Sequence, residues 1–244
     1  MHLLKWLVIS FLAASPALSA EPAPSAAPPP SAAPAPSSPI SEAETVMFMA
    51  NHLAGVKAPA TLRYAFHHGG SMEAAFDDSA EVMVEQGKAK GTKTVNARFL
   101  SGERRLQLPE VEDAQQNPVL LYFLERDISE MKRLTGAKNQ NYFRKQIRIA
   151  LADAAEVKTV MVKLDGREVP AKQIRISPYL DDPNKEKFEK YTGKYYVFTI
   201  SEAVPGQIYR AESVIPDKEG ENRPPLVEEV LSYTGSSSGS AKKK

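Results

Sequence analysis

The chain has 244 residues, no cysteine, and 31 basic against 30 acidic side chains. The lack of cysteine excludes disulfides, thiolate metal sites and lipid attachment at a processed cysteine. Without Lys5, which lies in an N-terminal segment that we expect to be removed, the basic and acidic residues are equal in number. This balance gives no indication of nucleic-acid binding.

The first 20 residues have the layout of a secretory signal peptide. Lys5 precedes an apolar run over 7–18, and small residues follow up to Ala20. Cleavage after Ser19 and cleavage after Ala20 both fit the pattern. The apolar run is shorter than the ~20 residues of a spanning helix, so we expect no transmembrane segment after cleavage. A retained membrane anchor is the alternative.

Composition divides the remaining chain into a linker, one domain and a tail. Residues 21–40 are rich in proline and alanine, which predicts an extended, disordered linker that buries no core. Residues 41–234 have the length of a single domain. Residues 235–244 contain serine, glycine and three lysines, and predict a flexible tail with too few charges to indicate lipid binding.

The domain begins with a predicted helix and a meander of strands. Ser41 and Glu44 form a capping box ahead of an apolar run, which predicts a helix over 41–54. The apolar face expected for this helix comprises Val46, Met49, Ala50 and Leu53. Alternating apolar residues and glycine turns then predict strands over 61–67, 73–84 and 92–100, with a short strand over 104–108.

Residues 117–151 predict an antiparallel helical hairpin. Asn117 and Pro118 mark the start of the first helix, and Gly136 marks its end. Asn139 or Asn141 can cap the second helix. The residues at helical spacing that form the two apolar faces are Leu120, Leu124, Ile128 and Met131 in the first helix, and Phe143, Ile147, Ala150 and Leu151 in the second.

The last third of the domain predicts further strands. Asp165 and Gly166 separate two β-rich runs, which predicts a hairpin over 157–164 and 167–176, and Pro170 indicates an edge or a bulge. A short helical piece over 182–191 and strands over 195–200, 208–215 and 226–233 complete the chain.

This order of elements predicts the α+β class, with a curved antiparallel sheet covered by the N-terminal helix and the central helical hairpin. The many hairpin signals and the absence of a βαβ rhythm favour antiparallel pairing. The residues that we expect inside are Tyr64, Phe66, Leu120, Leu124, Ile147, Leu151, Val197 and Phe198.

The charges of the helical hairpin are the best candidates for a polar site. Arg144 and Arg148 lie four residues apart on one face, where two guanidinium groups can hold a phosphate or a carboxylate. The simpler interpretation is that they pair with Glu125 or Asp127 across the hairpin, while the charges of the first helix form a solvated face. We predict no catalytic set, and the ligand-binding candidates are Arg144, Arg148, Glu125 and Asp127.

The only adjacent histidines, His67 and His68, lie near Glu73, Asp77 and Asp78. Neighbouring residues of a strand point to opposite faces, so the two imidazoles rarely bind one ion. No recognised metal-ligand spacing, phosphate-binding loop or dinucleotide fingerprint occurs in the sequence. We therefore predict no metal and no cofactor.

Three strings, NPVLLYFLERDISEMKRLTG, YFRKQIRIALAD and YTGKYYVFTISEAVPG, resemble a motif block of an uncharacterised family of secreted proteobacterial proteins. The resemblance covers about residues 60–215 and implies a Gram-negative cell and a periplasmic location. It implies no activity and no catalytic residue. The order of the elements is also similar to that of the half-barrel carriers that shuttle lipoproteins, which implies an apolar cavity between sheet and helices.

These observations favour a non-catalytic, periplasmic binding or carrier-like domain, with an apolar ligand between the sheet and the helices. One alternative is an envelope protein–protein interaction or scaffold protein, in which the linker and Lys242 to Lys244 help the domain reach its partners. A third hypothesis is a hydrolase that uses Glu125 or Asp127 together with Arg144 or Arg148.

Overall fold

Eight antiparallel strands dominate the computed structural model, which describes residues 39–217 and 223–238. The strands are β1 (Ala60–Gly69), β2 (Phe76–Gln86), β3 (Lys93–Phe99), β4 (Glu156–Leu164), β5 (Arg167–Ile176), β6 (Tyr195–Ile200), β7 (Ile208–Ile215) and β8 (Val227–Ser238). They form one sheet in the order β3-β2-β1-β8-β7-β6-β5-β4, so β3 and β4 are its edges. The predictions for residues 1–38 and 239–244, including the signal peptide, lie outside the described residues.

The sheet is strongly curved. The hydroxyl of Tyr209 in β7 donates a hydrogen bond to the carbonyl of Lys163 in β4 at 3.2 Å, although β5 and β6 lie between these strands. Neighbouring strands lie about 4.8 Å apart, so one side chain spans this separation only in a curved sheet. The predicted α+β class with a curved antiparallel sheet is confirmed.

The strand pattern follows the alternation of the sequence. In β1, Leu62, Tyr64 and Phe66 are buried beneath the helices, and the residues between them face solvent. Asp165 and Gly166 both have positive φ, 48° and 77°, as the tight β4–β5 turn requires. The strand predicted over 104–108 is absent, because Leu106 forms only an isolated bridge to Phe99.

The N-terminal helix is shorter than predicted. The α-helix α1 (Glu42–Glu44) begins with the predicted capping box at Ser41 and continues as a π-helical turn over Thr45–Met49. The predicted end at residue 54 is wrong, because Ala50 adopts an extended conformation. The wider π turn also brings Ala43 and Met47 into the core and leaves 55% of Met49 exposed, whereas the predicted Leu53 is buried and Val46 packs against the core. Residues 40–50 are called the α1 segment below.

The helical hairpin agrees closely with its prediction. It consists of α2 (Val119–Thr135) and α3 (Asn141–Asp153), and Gly136 ends α2 in the left-handed conformation with φ 66°. Asn117 Oδ1 accepts a hydrogen bond from the Val119 amide at 3.2 Å, which satisfies one free donor at the start of α2. All eight residues predicted for the two apolar faces are buried.

The core lies between the helices and the inner face of the sheet, and aromatic side chains occupy much of it. All eight residues expected inside are buried. Val197 nevertheless lies on the outer face, because strand alternation places Tyr196 and Phe198 under the helices. The large core side chains with less than 2% exposure include Tyr64, Phe66, Phe99, Phe123, Phe143, Tyr179, Tyr196 and Phe198.

Two boundaries near the C-terminus also differ from the predictions. Residues 182–191 form short 3-10 turns, Lys185–Lys187 and Glu189–Gly193, instead of one helical piece. β8 continues to Ser238, so four residues of the tail predicted over 235–244 belong to a strand that pairs with β1. No helix of the described ranges is long and apolar enough to cross a membrane.

Candidate functional site

The predicted pairing across the helical hairpin is present between Glu125 and Arg144. Arg144 donates from Nε to Oε1 at 2.8 Å and from Nη2 to Oε2 at 2.5 Å, which is a bidentate arrangement. Gln140 and Asn141 accept further hydrogen bonds from the same guanidinium. About a third of each partner of the ion pair is exposed, so the pair lies at the surface of the hairpin.

The other two predicted ligand-binding residues do not join this pair. Arg148 is exposed, and within the described part of the chain it forms no ion pair with Glu125 or Asp127. Asp127 points from α2 toward the sheet and is only 1% exposed. The four candidates therefore do not converge on one ligand-sized site.

Asp127 is the centre of a buried cluster. Lys194 Nζ and Ser213 Oγ donate to Asp127 Oδ1, each at 2.5 Å, and the hydroxyl of Tyr196 donates to Oδ2 at 2.6 Å. The donors come from the start of β6 and from β7, so the carboxylate ties α2 to the middle of the sheet. Lys194 is as deeply buried as Asp127, and the two charges neutralise each other.

Two tyrosines extend this cluster. The hydroxyl oxygens of Tyr179 and Tyr196 lie 3.5 Å apart. Burial, followed by the nearby charge of Asp127, raises the pKa of both phenols well above the ordinary value. Both side chains therefore stay neutral at physiological pH, and Tyr196 remains a hydrogen-bond donor to the carboxylate.

A second buried carboxylate, Glu229 of β8, forms an adjacent cluster. Its Oε1 lies 3.0 Å from Nδ1 of His68 and accepts a hydrogen bond from Arg126 at 2.5 Å, while its Oε2 has no hydrogen-bond partner. The other ring nitrogen of His68 lies 3.4 Å from Glu73. A hydrogen bond from Arg133 lowers the pKa of Glu73, although partial burial opposes the shift.

The two clusters form one continuous layer beneath α2. Ser213 and Glu229 are directly opposite each other on β7 and β8, and Arg126 and Asp127 are consecutive on α2. We call this layer the buried polar seam. It comprises His68, Arg126, Asp127, Lys194, Tyr196, Ser213 and Glu229.

The buried polar seam contains the residues that the sequence interpretation missed. The prediction of a solvated face is wrong for Arg126 and Asp127, whose side chains are 10% and 1% exposed. One signal was available, because Asp127 falls three residues after Leu124 and four before Met131, within the apolar stripe of the helix. Nothing local in the sequence indicated that Lys194 and Glu229 would meet this helix, since both are distant along the chain.

The two adjacent histidines point to opposite faces of β1, as predicted. His67 is half-exposed on the outer face, with Nδ1 2.7 Å from Asp77, while His68 belongs to the buried polar seam. Among the described residues, no group of three or more histidine, aspartate or glutamate side chains is arranged to hold a metal ion.

The clefts outside the packed core include three that are lined by residues of the described ranges. One of about 410 Å³ is bounded by the β4–β5 turn, the turn after β6 and the end of β8, and includes Lys163, Arg167 and Tyr233. Another of about 410 Å³ lies on the outer face beside His67 and Arg210. The third, of about 200 Å³, is lined by Thr159, Pro170, Ala171, Lys172, Ile200, Ser201, Glu202 and Ala203.

The α1 segment lies beside the smallest cleft and exposes apolar side chains. Glu42 pairs with Lys172, a residue that lines this cleft, at 3.0 Å. Ile40, Phe48 and Met49 are exposed by 59%, 38% and 55%, while Ala43 and Met47 enter the core. A hydrogen bond from Ser41 Oγ to the Leu151 carbonyl at 2.9 Å holds the segment to the end of α3.

No protein-family model matches the chain, and no curated protein matches it. Among solved structures, the lipoprotein LppX of Mycobacterium tuberculosis is 11% identical, with a TM-score of 0.30, over 75% of this chain and 90% of its own. A LolA superfamily protein of Nitrosomonas europaea is 11% identical, with a TM-score of 0.22, over 81% and 94%. These neighbours agree only coarsely with the half-barrel resemblance, and TM-scores below 0.5 carry no argument about function.

Proposed function

We propose that the chain is a non-catalytic, carrier-like binding domain of the periplasm, and that its ligand is an apolar chain. The observation that carries the proposal is the α1 segment, which exposes three large apolar side chains beside a partly apolar cleft. Phe48 and Met49 are neighbours in the sequence, and exposed apolar side chains that lie together commonly mark a binding surface. The periplasmic location rests on the signal-peptide layout of the first 20 residues.

The ligand would enter by displacing the α1 segment from the core. The space between the helices and the sheet is filled by side chains in this structure, so an acyl chain needs the volume occupied by Ala43 and Met47. The polar attachments of the segment include the hydrogen bond from Ser41 and the exposed ion pair of Glu42. Such an ion pair contributes about 0–1 kcal/mol, so displacement of this segment costs little electrostatic energy.

The test is binding of a fluorescent fatty acid to the purified protein, together with native mass spectrometry of protein taken from its own cells. The double variant Phe48→Ser, Met49→Ser should weaken binding about tenfold or more, because each side chain contributes ~1–2 kcal/mol of apolar contact. Leu121→Ser is the matched control, since Leu121 is equally exposed on α2. Equal loss in the control, or no binding by the unmodified protein, would reject the proposal.

The filled interior supports a second candidate, an envelope interaction or scaffold domain that acts through its surface. In that case the exposed apolar side chains of the α1 segment contact a protein. Deleting residues 21–39 should then abolish crosslinking to envelope partners in cells, and unchanged crosslinking would count against this candidate.

The hydrolase hypothesis receives the least support from the geometry. Glu125 and Arg144 neutralise each other at the surface, and Asp127 is saturated by three donors without access to solvent. Replacing Glu125, Asp127, Arg144 and Arg148 with alanine one at a time, and scoring rescue of a deletion strain, tests the hypothesis. Rescue by all four variants would eliminate it.

A further inference from the structure

The two edge strands of the sheet, β3 and β4, differ in the chain segments that pair with them. The segment after β3 returns along its open edge, where Val95 and Val111 exchange two backbone hydrogen bonds of 2.9 Å and the Ala114 amide donates to the Lys93 carbonyl. β4 has no such cover in the described part of the chain. Beyond its pairing with β5, β4 accepts a hydrogen bond from Tyr209 at the Lys163 carbonyl near its end, and α1 lies close to the strand without pairing with its backbone.

β4 is also regular over its whole length. Its nine residues pair with β5 without a register shift, and it contains neither proline nor glycine. Proteins normally protect an edge of this kind with proline, a bulge, a covering segment or charged side chains, because a free, regular edge pairs with other strands. Of these devices β4 has charged side chains, among them Lys158 and Lys163. Met161 on this strand is 57% exposed, and Val160 and Val162 are half-buried.

We propose that the edge of β4 is the interface with a second copy of this chain, paired antiparallel across a two-fold axis at Val160. The two sheets then continue into one another. This register pairs all nine residues of β4, with Val160 opposite its counterpart and Met161 opposite Thr159 of the second copy. The exposed Met161 is thereby covered by a neighbouring side chain.

The charges of the strand favour this register. Lys158 comes opposite Val162 of the second copy, and Lys163 comes opposite Val157, so no like charges face each other. Moving the axis to Lys158 would place two lysines directly opposite each other. The lysine side chains can instead lay their aliphatic stems over valine and keep the ammonium groups in solvent.

The proline-rich linker is a poorer occupant of the same edge. Eight of the residues over 21–39 are proline, and proline has no amide hydrogen to donate to a neighbouring strand. Every residue of β4 has an amide hydrogen, so each residue that directs its backbone toward the free edge offers both a donor and an acceptor. The composition therefore favours the second copy over pairing with the chain's own linker.

Single cysteines test the interface on a clean background, because the chain contains no cysteine. Directly opposed residues have Cβ atoms about 4.5–5.5 Å apart, close enough for a disulfide after small adjustment. Val160→Cys should therefore form a crosslinked dimer under mild oxidation of the full chain. Lys158→Cys and Val162→Cys each lie about 13 Å from their own counterparts and should not, but a mixture of the two should give the crosslinked heterodimer.

Sedimentation and deletion variants complete the test. The unmodified protein should sediment as a dimer at micromolar concentration, and Val160→Lys should shift it to monomer by opposing two like charges. Thr94→Cys on β3 is the control for random crosslinking. A monomer at all concentrations, or equal crosslinking at 94, 158, 160 and 162, would overturn the proposal. Crosslinking at 160 that appears only when residues 21–39 are deleted would assign the edge to the linker instead and overturn the proposal.

Discussion

The helix α2 and the α1 segment cover the same face of the sheet, but different chemistry holds them there. α2 contributes two consecutive charges, Arg126 and Asp127, to ion pairs that are almost completely buried. The α1 segment contributes Glu42 to an ion pair in which both side chains are about half-exposed. Burial of the charges therefore distinguishes the two covers, and it is the reason we propose that the α1 segment is the one that moves.

The buried ion pairs of α2 determine where the helix sits on the sheet as much as they affect the stability of the fold. A buried ion pair costs several kcal/mol of desolvation for each charge, so its net contribution is small when it is complete. Removing one partner is expensive, because the other is left charged in a dry interior. α2 can therefore occupy one register on the sheet, whereas separation of the half-exposed Glu42–Lys172 pair of the α1 segment leaves no charge buried without its partner.

The largest expected effect comes from breaking the central pair of the buried polar seam. Lys194→Met keeps the length of the side chain but leaves the Asp127 carboxylate without its counter-charge. We expect the free energy of unfolding to fall by about 3–5 kcal/mol in urea titrations at pH 7. Lys172→Met removes the corresponding charge beside the α1 segment and should cost less than about 1 kcal/mol.

A compensating variant distinguishes lost charge balance from lost packing. In the double variant Asp127→Asn, Lys194→Met, the amide oxygen at 127 can accept from Ser213, which donates to Oδ1 in the unmodified protein, while the amide NH2, in the place of Oδ2, can donate to the hydroxyl oxygen of Tyr196. More than half of the lost stability should return. If the double variant is as unstable as Lys194→Met alone, the buried polar seam stabilises the fold through side-chain packing and not through charge balance. Burial of charge would then not explain the difference between α2 and the α1 segment.

A smaller, pH-dependent effect is expected where the α1 segment meets α2. His52 Nε2 lies 2.8 Å from the Val46 carbonyl, and its Nδ1 accepts a hydrogen bond from the Asn117 amide at 3.3 Å. This arrangement requires the neutral ring. Burial lowers the pKa of His52 below its ordinary value of 6.5, although the hydrogen bond to Val46 opposes the shift.

The direction of this pH effect follows from the linkage between protonation and folding. The folded state resists protonation of His52, so its contribution is fully present above about pH 6.5 and is lost as the pH falls toward the lowered folded-state pKa. The free energy of unfolding should therefore decrease between pH 7.5 and 5.5. His52→Phe should reduce this decrease relative to the unmodified protein. Subtracting the two curves of unfolding free energy against pH cancels the contributions of the other titrating groups. Parallel curves would mean that His52 is accessible to protons.

The sequence predicted the elements well because their signals are local. The stripe of Leu120, Leu124 and Ile128, the αL residue Gly136 and the Asp165–Gly166 turn each act within a few residues, and each prediction is confirmed. The register of the α1 segment failed because its π turn, rather than an ideal α period, selects which side chains enter the core.

The buried polar seam was missed because it depends on contacts between distant parts of the chain. Asp127 and Lys194 are 67 residues apart, and His68 and Glu229 are 161 apart. Helix periodicity places Asp127 within the apolar stripe, but a carboxylate there can be buried only if a counter-charge meets it. Whether it meets one depends on the position of β6 and β7 beneath α2, which no local pattern supplies.

The smallest expected effect is on the opposite side of α2, where Glu125 pairs with Arg144 at the surface. Its bidentate geometry matches that of a strong ion pair, but solvent reaches both groups and screens them. Arg144→Gln should lower the free energy of unfolding by about 0.2–1 kcal/mol, and Arg148→Gln, which removes an exposed arginine without that partner, should change it by less. A double-mutant cycle with Glu125→Gln isolates the pair itself. A coupling energy above about 2 kcal/mol would mean that this exposed pair stabilises the fold as strongly as the buried polar seam. Burial of charge would then not explain the difference that we propose between α2 and the α1 segment.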